Sequence, residues 1–212
     1  PVTHTEPVDS IEPHDPFGAL KEATFRRFLS GNFLALLGSQ MQQTAVGWEL
    51  YERTGEPLDL GLVGLVQVIP VMAFAIPAGQ VIDRLERRRV LMAALAVLVL
   101  CSLTLALMSR MGITRAGILT CLFVNGLART FLQPAKSSLV PSLVPRLRFP
   151  NAVTWSTSTF QLATVVGPGI GGWLIGATHS AWVVYLVDAV FTFFFFVQAA
   201  RLPSQPAASR GG

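Results

Sequence analysis

Long stretches of this chain contain no charged side chain. Residues 28–48, 60–82 and 90–109 include no Asp, Glu, Lys or Arg. At a helical rise of about 1.5 Å per residue, each stretch is long enough to cross the ~30 Å hydrocarbon core of a bilayer. A soluble fold of this length would need many charges on its surface, yet only 13% of the residues are charged. The sequence therefore predicts a membrane protein.

The apolar pattern predicts an all-α protein with six transmembrane helices. We expect a disordered or interfacial tail at residues 1–25, a helical bundle at 26–201 and a polar C-terminal tail at 202–212. The Pro141/Pro145/Pro150 stretch predicts a loop between the fourth and fifth spans. The predicted spans are residues 28–50, 60–82, 90–109, 116–138, 152–175 and 181–200.

The basic residues indicate how the bundle is oriented. If the N-terminus is cytoplasmic, twelve of the 16 Lys and Arg residues lie on the inner side, three on the outer side and Arg129 inside a span. This asymmetry follows the positive-inside rule, so we expect both termini in the cytoplasm. The basic residues are not interleaved with aromatic residues, which argues against a nucleic-acid partner and leaves lipid as the expected surroundings. The inner set comprises Lys21, Arg26, Arg27, Arg84, Arg87, Arg88, Arg89, Lys136, Arg146, Arg148, Arg201 and Arg210.

Three of the spans carry polar side chains at helical spacing. In the fourth, Asn125, Arg129 and Gln133 recur every four residues, which places them on one face. Polar groups are costly against lipid, so these stripes are expected to face one another or a water-filled cavity. Hydrogen bonds between helices with no substrate role are the alternative. Spans three and six are nearly uniform hydrocarbon and are expected on the lipid-facing outside. The predicted cavity residues are Asn32, Gln40, Gln43, Asn125, Arg129, Gln133 and Gln161.

Arg129 is the strongest single candidate for function. An arginine inside a span costs about 2.5–3.5 kcal/mol on insertion-based scales and normally faces a cavity or a partner. Asp188 is the one acid deep in a predicted span and is its candidate partner. The pair could be purely structural or could serve coupling. The sequence shows no metal-ligand spacing or catalytic cluster, so neither an enzyme nor a bound cofactor is expected.

Two motifs resemble those of a known transporter family. The loop after span two contains Gly79, Asp83, Arg84, Arg87 and Arg88, and it is similar to the Gly-x-x-x-Asp-Arg-x-Gly-Arg-Arg loop signature of the major facilitator superfamily, with Glu86 in place of the usual Gly. In span five, Gly167, Pro168, Gly171 and Gly172 resemble the Gly-Pro-x-x-Gly-Gly core of its antiporter signature. Ala163 and Thr154 replace the upstream glycines of that longer signature.

The resemblance implies a mechanism as well as a fold. It implies alternating access, a substrate cavity at the bundle centre, and a latch at Gly79 and Asp83 that is made and broken as two halves rock. The segment 37–52 and the Pro134/Pro141 stretch are most similar to the enterobactin-exporter-like branch, which implies efflux of a siderophore-like or amphipathic small molecule. Proton coupling is implied by the resemblance alone. A topology-setting basic loop is the simpler interpretation of the arginines.

The six predicted spans are half the number of spans that the resemblance implies. Superfamily members have twelve spans in two six-helix halves, each built as a 3+3 inverted repeat. We therefore expect this chain to supply the N-terminal half and to need a C-terminal half, a second copy or a separate half-transporter. Pro1 in place of an initiator Met favours a fragment. A non-transporting membrane scaffold or assembly partner remains the alternative function.

Overall fold

A computed structural model describes residues 16–112 and 114–202, and the side chains of residues 82–84 lie outside that description. The described chain is helical throughout, with short 3-10 turns at Gly18–Lys21 and Arg146–Arg148. Its six α-helices are α1 (Ala23–Thr54), α2 (Pro57–Arg84), α3 (Arg87–Met111), α4 (Arg115–Leu143), α5 (Phe149–Thr178) and α6 (Trp182–Ala200).

Glycine and proline set several of the helix ends. Gly55 and Gly112 adopt positive φ angles of 66° and 84° where α1 and α3 end, a conformation that a residue without a Cβ adopts at little cost. Pro150 lies in the first turn of α5, where no backbone N–H is needed. Pro141 lies within α4, so the predicted proline loop is wrong in extent and only Pro145 lies between the two helices.

Five extensive helix–helix interfaces hold the described bundle together. Helix α1 packs on α5 and α6, α4 packs on α2 and α3, and α3 packs on α6. Two apolar clusters fill these interfaces, one containing Phe28 and Phe195 and the other Met41 and Tyr185. The Phe28 and Phe195 rings meet edge to face with centroids 5.6 Å apart, a favourable aromatic geometry.

Five of the six described helices, α2 to α6, are long and apolar enough to span a membrane. Helix α1 is not among them, because the amides and hydroxyls of its polar stripe lower the hydropathy of its uncharged stretch. Packing against the other helices buries part of that stripe. The chain is thus a multi-pass membrane protein in which α1 differs in composition from the expected apolar span.

Among the five apolar helices, α2 and α5 are the least buried. Half of the most apolar window of α3 is buried, against 11% for α2 and 22% for α5. Helices α3 and α6 pack on each other, yet both keep apolar side chains such as Leu100 and Val190 exposed. That spans three and six face lipid therefore stays a prediction. Helices α2 and α5 expose more of their length.

The segment before α1 packs on the start of α5. The indole Nε1 of Trp155 donates to the carbonyl of Pro16 at 3.0 Å, and the rings of Phe17 and Trp155 are 5.8 Å apart. Glu22 forms an ion pair with Arg148 at 2.8 Å. These contacts hold the segment that precedes α1 against the start of α5. The rest of the predicted N-terminal tail, residues 1–15, and residues 203–212 lie outside the described residues.

Candidate functional site

The polar stripes of α1 and α4 face each other across a central cavity. It has a volume of about 260 Å³ and is lined mainly by α1 and α4, with side chains from α3, α5 and α6. Six of the seven predicted cavity residues line it, together with Asp188: Asn32, Gln40, Gln43, Asn125, Arg129 and Gln133. Gln161 is exposed on α5 and is not among the lining residues.

A chain of hydrogen bonds crosses four helices beside this cavity. Arg129 Nε donates to Asn125 Oδ1 at 2.7 Å, and Asn125 Nδ2 donates to Gln42 Oε1 at 3.4 Å. Gln42 Nε2 donates to Ser102 Oγ at 3.0 Å, and Ser102 Oγ donates to Asp188 Oδ2 at 2.5 Å. Every donor points in the same direction, from the guanidinium toward the carboxylate. Such a series is polarised by its charged ends, and each bond strengthens its neighbours.

Arg129 and Asp188 are therefore linked by a series of hydrogen bonds rather than by a direct ion pair. Arg129 also donates from Nη2 to Ser39 Oγ at 2.7 Å, and Thr192 Oγ1 lies 3.5 Å from Asp188 Oδ1. Among the ion pairs of the described residues, none joins Arg129 to Asp188 within 4.0 Å. The two side chains line the same cavity, but the direct pair considered from the sequence is not formed, and their link runs through Asn125, Gln42 and Ser102.

Close approach of α6 to α1 brings Asp188 into this position. A Cβ added to Gly38 would lie 2.6 Å from Asp188 Oδ1 and 3.0 Å from its Cα, so only glycine leaves enough room. Gly31, seven residues earlier in α1, also permits close approach of α6, because a Cβ there would lie 2.6 Å from the Phe195 ring. Small residues at this spacing allow two membrane helices to pack with their backbones close together.

Lys136 is a cavity residue that the charge pattern placed only among the basic residues of the inner side. It lies inside α4, half-buried, and its Nζ donates to Asn32 Oδ1 at 3.1 Å. It lines both the central cavity and an adjoining cavity of about 560 Å³ between α1, α4 and α5. Its spacing of seven residues from Arg129 places both on one face of α4, and that was the signal that could have identified it.

A second polar cluster lies at the end of the bundle where α1 ends and α6 begins. Buried Glu49 accepts hydrogen bonds from Arg53 Nη2 at 2.7 Å, Ser109 Oγ at 2.7 Å and Tyr185 OH at 2.8 Å. These donors come from α1, α3 and α6. The cluster satisfies a carboxylate that would otherwise be buried at high cost, and it fixes three helices together.

The loop-motif residues divide into two groups. Arg87 Nη1 donates to the Ser138 carbonyl at 2.9 Å, and Arg88 donates to the Ala200 carbonyl. These arginines therefore contact backbone carbonyls at or near the C-terminal ends of α4 and α6, where cations are favoured. A Cβ on Gly79 would meet nothing within 4 Å, and the side chains of Asp83 and Arg84 lie outside the described residues.

The three glycines of the span-five motif also differ in their surroundings. A Cβ on Gly167 would lie 2.5 Å from Gln40 Cβ, and one on Gly171 would lie 3.0 Å from Met41 Cα, so both permit close packing of α5 on α1. Gly172 has nothing within 4 Å of an added Cβ. Pro168 lies inside α5 on its exposed side. Within this chain, close packing explains two of the three glycines.

The described residues offer little for other chemistry. No group of three or more His, Cys, Asp or Glu side chains is placed to hold a metal ion among the residues that the structure describes. Cys101 and Cys121 are buried, unpaired thiols, and the Cys121 Sγ lies 3.3 Å from the Cys101 carbonyl oxygen. Both occupy apolar surroundings, as small hydrophobic residues do.

The fold is a multi-pass membrane bundle with charged side chains at its cavity, and comparison with known proteins identifies its class. Residues 14–210 match the family model described as "Transmembrane secretion effector", and the chain belongs to that family of the major facilitator superfamily. The family points to a transporter rather than an enzyme.

Efflux proteins are among the relatives. The chain is 23% identical over 167 residues to macrolide efflux protein A of Streptococcus pyogenes, covering 78% of this chain and 40% of the relative. It is 22% identical over 171 residues to the staphyloferrin A transporter of Staphylococcus aureus, with 78% and 42% covered. It is 28% identical over 160 residues to the multidrug efflux pump Tap of Mycolicibacterium fortuitum, with 69% and 38% covered. The chain thus spans about two fifths of the length of these relatives.

Proposed function

We propose that this chain forms the N-terminal six-helix half of an exporter of the enterobactin-exporter-like branch, in a bacterial inner membrane with both termini cytoplasmic. The exporter moves a siderophore-like or amphipathic small molecule outward by alternating access. The observation that carries this proposal is the polar cavity between α1 and α4, which is lined by a cation of α4 and a carboxylate of α6. Buried charges at such a place in a membrane protein are expensive and are typical of a transport pathway.

The helix pairing supports a 3+3 inverted repeat. If α1–α3 correspond to α4–α6, then the extensive α2–α4 contact corresponds to α1–α5, and α3–α4 corresponds to α1–α6. All four interfaces are extensive, while α3–α6 would lie on the symmetry axis. This is the arrangement expected of two three-helix units related by a pseudo-two-fold axis in the membrane plane.

The exposed faces of α2 and α5 are the proposed contact with the missing half, which is a C-terminal half, a second copy or a separate half-transporter. Gly79, Gly169 and Gly172 all have open space where a Cβ would be, so a partner helix could approach closely there. The latch that we propose at Gly79 and Asp83 belongs to this contact. Arg87 and Arg88 already contact helix ends of this half, so we assign them to holding the loop in place.

Proton coupling through Asp188 is part of the proposal. Its carboxylate ends the hydrogen-bond chain that begins at Arg129, so protonation would remove the charge that polarises the whole series. We expect Asp188→Asn to uncouple export from a proton gradient while the protein still inserts. Transport assays with and without a protonophore measure this, and an unchanged protonophore response in the variant would refute the coupling role.

The alternative is a membrane scaffold that transports nothing. Gln43 and Gln133 are exposed and line the central cavity, so a thiol at either position reports whether water reaches it. A water-filled transport pathway predicts that Gln43→Cys and Gln133→Cys react with a water-soluble maleimide in intact membranes. Protection at both positions would favour the scaffold.

A further inference from the structure

The side chains that line the two cavities carry more positive than negative charge. Arg129 and Lys136 line the central cavity, and Lys136 also lines the adjoining cavity. Their hydrogen-bond acceptors are neutral: Asn125 and Ser39 for the guanidinium, and Asn32 for the ammonium. Four other basic side chains, Arg53, Arg89, Arg115 and Arg148, each pair with a carboxylate, but neither cavity cation does so among the described residues.

Asp188, the one acidic residue that lines the cavities in the described part of the chain, already accepts hydrogen bonds from neighbouring side chains. Asp188 is buried, accepts the 2.5 Å hydrogen bond from Ser102, and packs against Gly38. No other Asp or Glu lines either cavity in the described part of the chain. The cavities therefore present two cations against one satisfied carboxylate, and the low dielectric of the bundle strengthens the resulting field.

The two cations are well placed to bind one molecule. They are seven residues apart on α4, which corresponds to about 10 Å along the helix axis and nearly the same face. The two cavities share the lining residues Asn32, Leu36, Gln133, Lys136 and Phe160, so they lie directly beside each other. The adjoining cavity, at about 560 Å³, is of the size that holds drug-sized ligands, and Phe28, Val153 and Phe160 give it apolar walls.

We infer that the exported substrate is an amphipathic organic anion with at least two acidic groups, held by Lys136 and Arg129 while its apolar part lies against the aromatic walls. This inference rests on the proposed function, because it specifies the substrate class of the same cavity. A substrate cation would meet a net positive charge there and would be rejected.

A pair of dyes on one ring system tests the inference. Carboxyfluorescein carries several anionic groups, and rhodamine 6G is a cation with the same xanthene core. Cells that express the complete gene product containing this chain are loaded with either dye, and initial efflux rates are compared with those of cells lacking it. We expect faster efflux of carboxyfluorescein only, and a loss of about tenfold in Lys136→Gln, the size of one charged hydrogen bond.

Matched variants separate the charge of Lys136 from other effects. Lys136→Arg keeps the charge and should keep the dye preference, whereas Lys136→Glu should weaken carboxyfluorescein efflux further than Lys136→Gln. Arg146→Gln removes an exposed cation outside both cavities and should change neither dye. Each variant is checked for equal membrane content.

The possible failures are distinguishable. Faster efflux of rhodamine 6G, or equal carboxyfluorescein efflux by Lys136→Gln and the parent protein, overturns the anion inference while transport itself stands. If neither dye leaves faster than from cells lacking the protein, the proposed export function fails and the inference falls with it.

Discussion

Ser102 on α3 donates a 2.5 Å hydrogen bond to the carboxylate of Asp188 on α6. Both residues are buried, and Ser102 also accepts from Gln42 of α1. One small hydroxyl thereby connects the carboxylate to the amide series that ends at Arg129. This hydrogen bond helps to hold the Asp188 carboxylate in place. It is also the last bond in the series that links Arg129 to Asp188.

Loss of this hydroxyl should destabilise the bundle. Ser102→Ala leaves the Asp188 carboxylate without its shortest hydrogen bond and removes the acceptor of Gln42, so we expect a loss of about 1–3 kcal/mol. Thermal unfolding in detergent measures it. Ser137→Ala is the control, because the exposed Ser137 hydroxyl donates only to the Pro134 carbonyl of its own helix. Equal unfolding temperatures for the two variants would contradict the proposed importance of the bond.

Two glycines five residues apart in α5 should respond differently to alanine. A Cβ at position 167 would lie 2.5 Å from Gln40 Cβ, so Gly167→Ala must push α5 away from α1, at about 1–3 kcal/mol. Gly172→Ala meets nothing within 4 Å and should be neutral or slightly stabilising, because alanine favours helix more than glycine does. Unfolding of the purified 212-residue chain compares them. A larger loss for Gly172→Ala would show that α5 is rotated from the orientation described.

The cluster around Glu49 offers a test of energetic coupling. Tyr185 OH donates to Glu49 Oε2 at 2.8 Å, and Tyr185→Phe removes only this donor. Hydrogen bonds to charged groups contribute about 1.5–3 kcal/mol, so the single variant should be measurably less stable. In a double-mutant cycle with Glu49→Gln, we expect a coupling energy of about 0.5–3 kcal/mol. Strict additivity of the two substitutions would mean that the pair does not interact.

The orientation of the bundle can be measured at two exposed positions. Leu147, between α4 and α5, is 90% exposed, and Met111, at the end of α3, is 86% exposed. We expect a membrane-impermeant maleimide to label Met111→Cys in intact cells and Leu147→Cys only in opened cells, because the basic residues near Leu147 favour the cytoplasm. Buried Cys101 and Cys121 keep the background low. Labelling of Leu147→Cys from outside would reverse the topology.

Spacing along single helices made much of the cavity predictable. Asn125, Arg129 and Gln133 recur every four residues, and all three line it. Ser102 and Gln42 were missed because a lone serine in an apolar helix and an amide beside other amides carry no signal of their own. Lys136 was missed because the predicted fourth span stopped close to it, whereas α4 continues through Pro141. Gln161 has the right chemistry but lies on the exposed side of α5.

The sequence by itself determined that the chain is a bundle of long membrane helices, because the lengths and apolarity of the runs depend on neighbouring residues alone. It also determined the family, through the loop and glycine motifs. Only the tertiary structure decided that α1 packs on both α5 and α6, that α2 and α5 are the most exposed of the apolar helices, and that Arg129 reaches Asp188 through three other side chains. Those features depend on how each helix is rotated and how closely the pairs approach, and glycines such as Gly38 act there through contacts with residues far away in the chain.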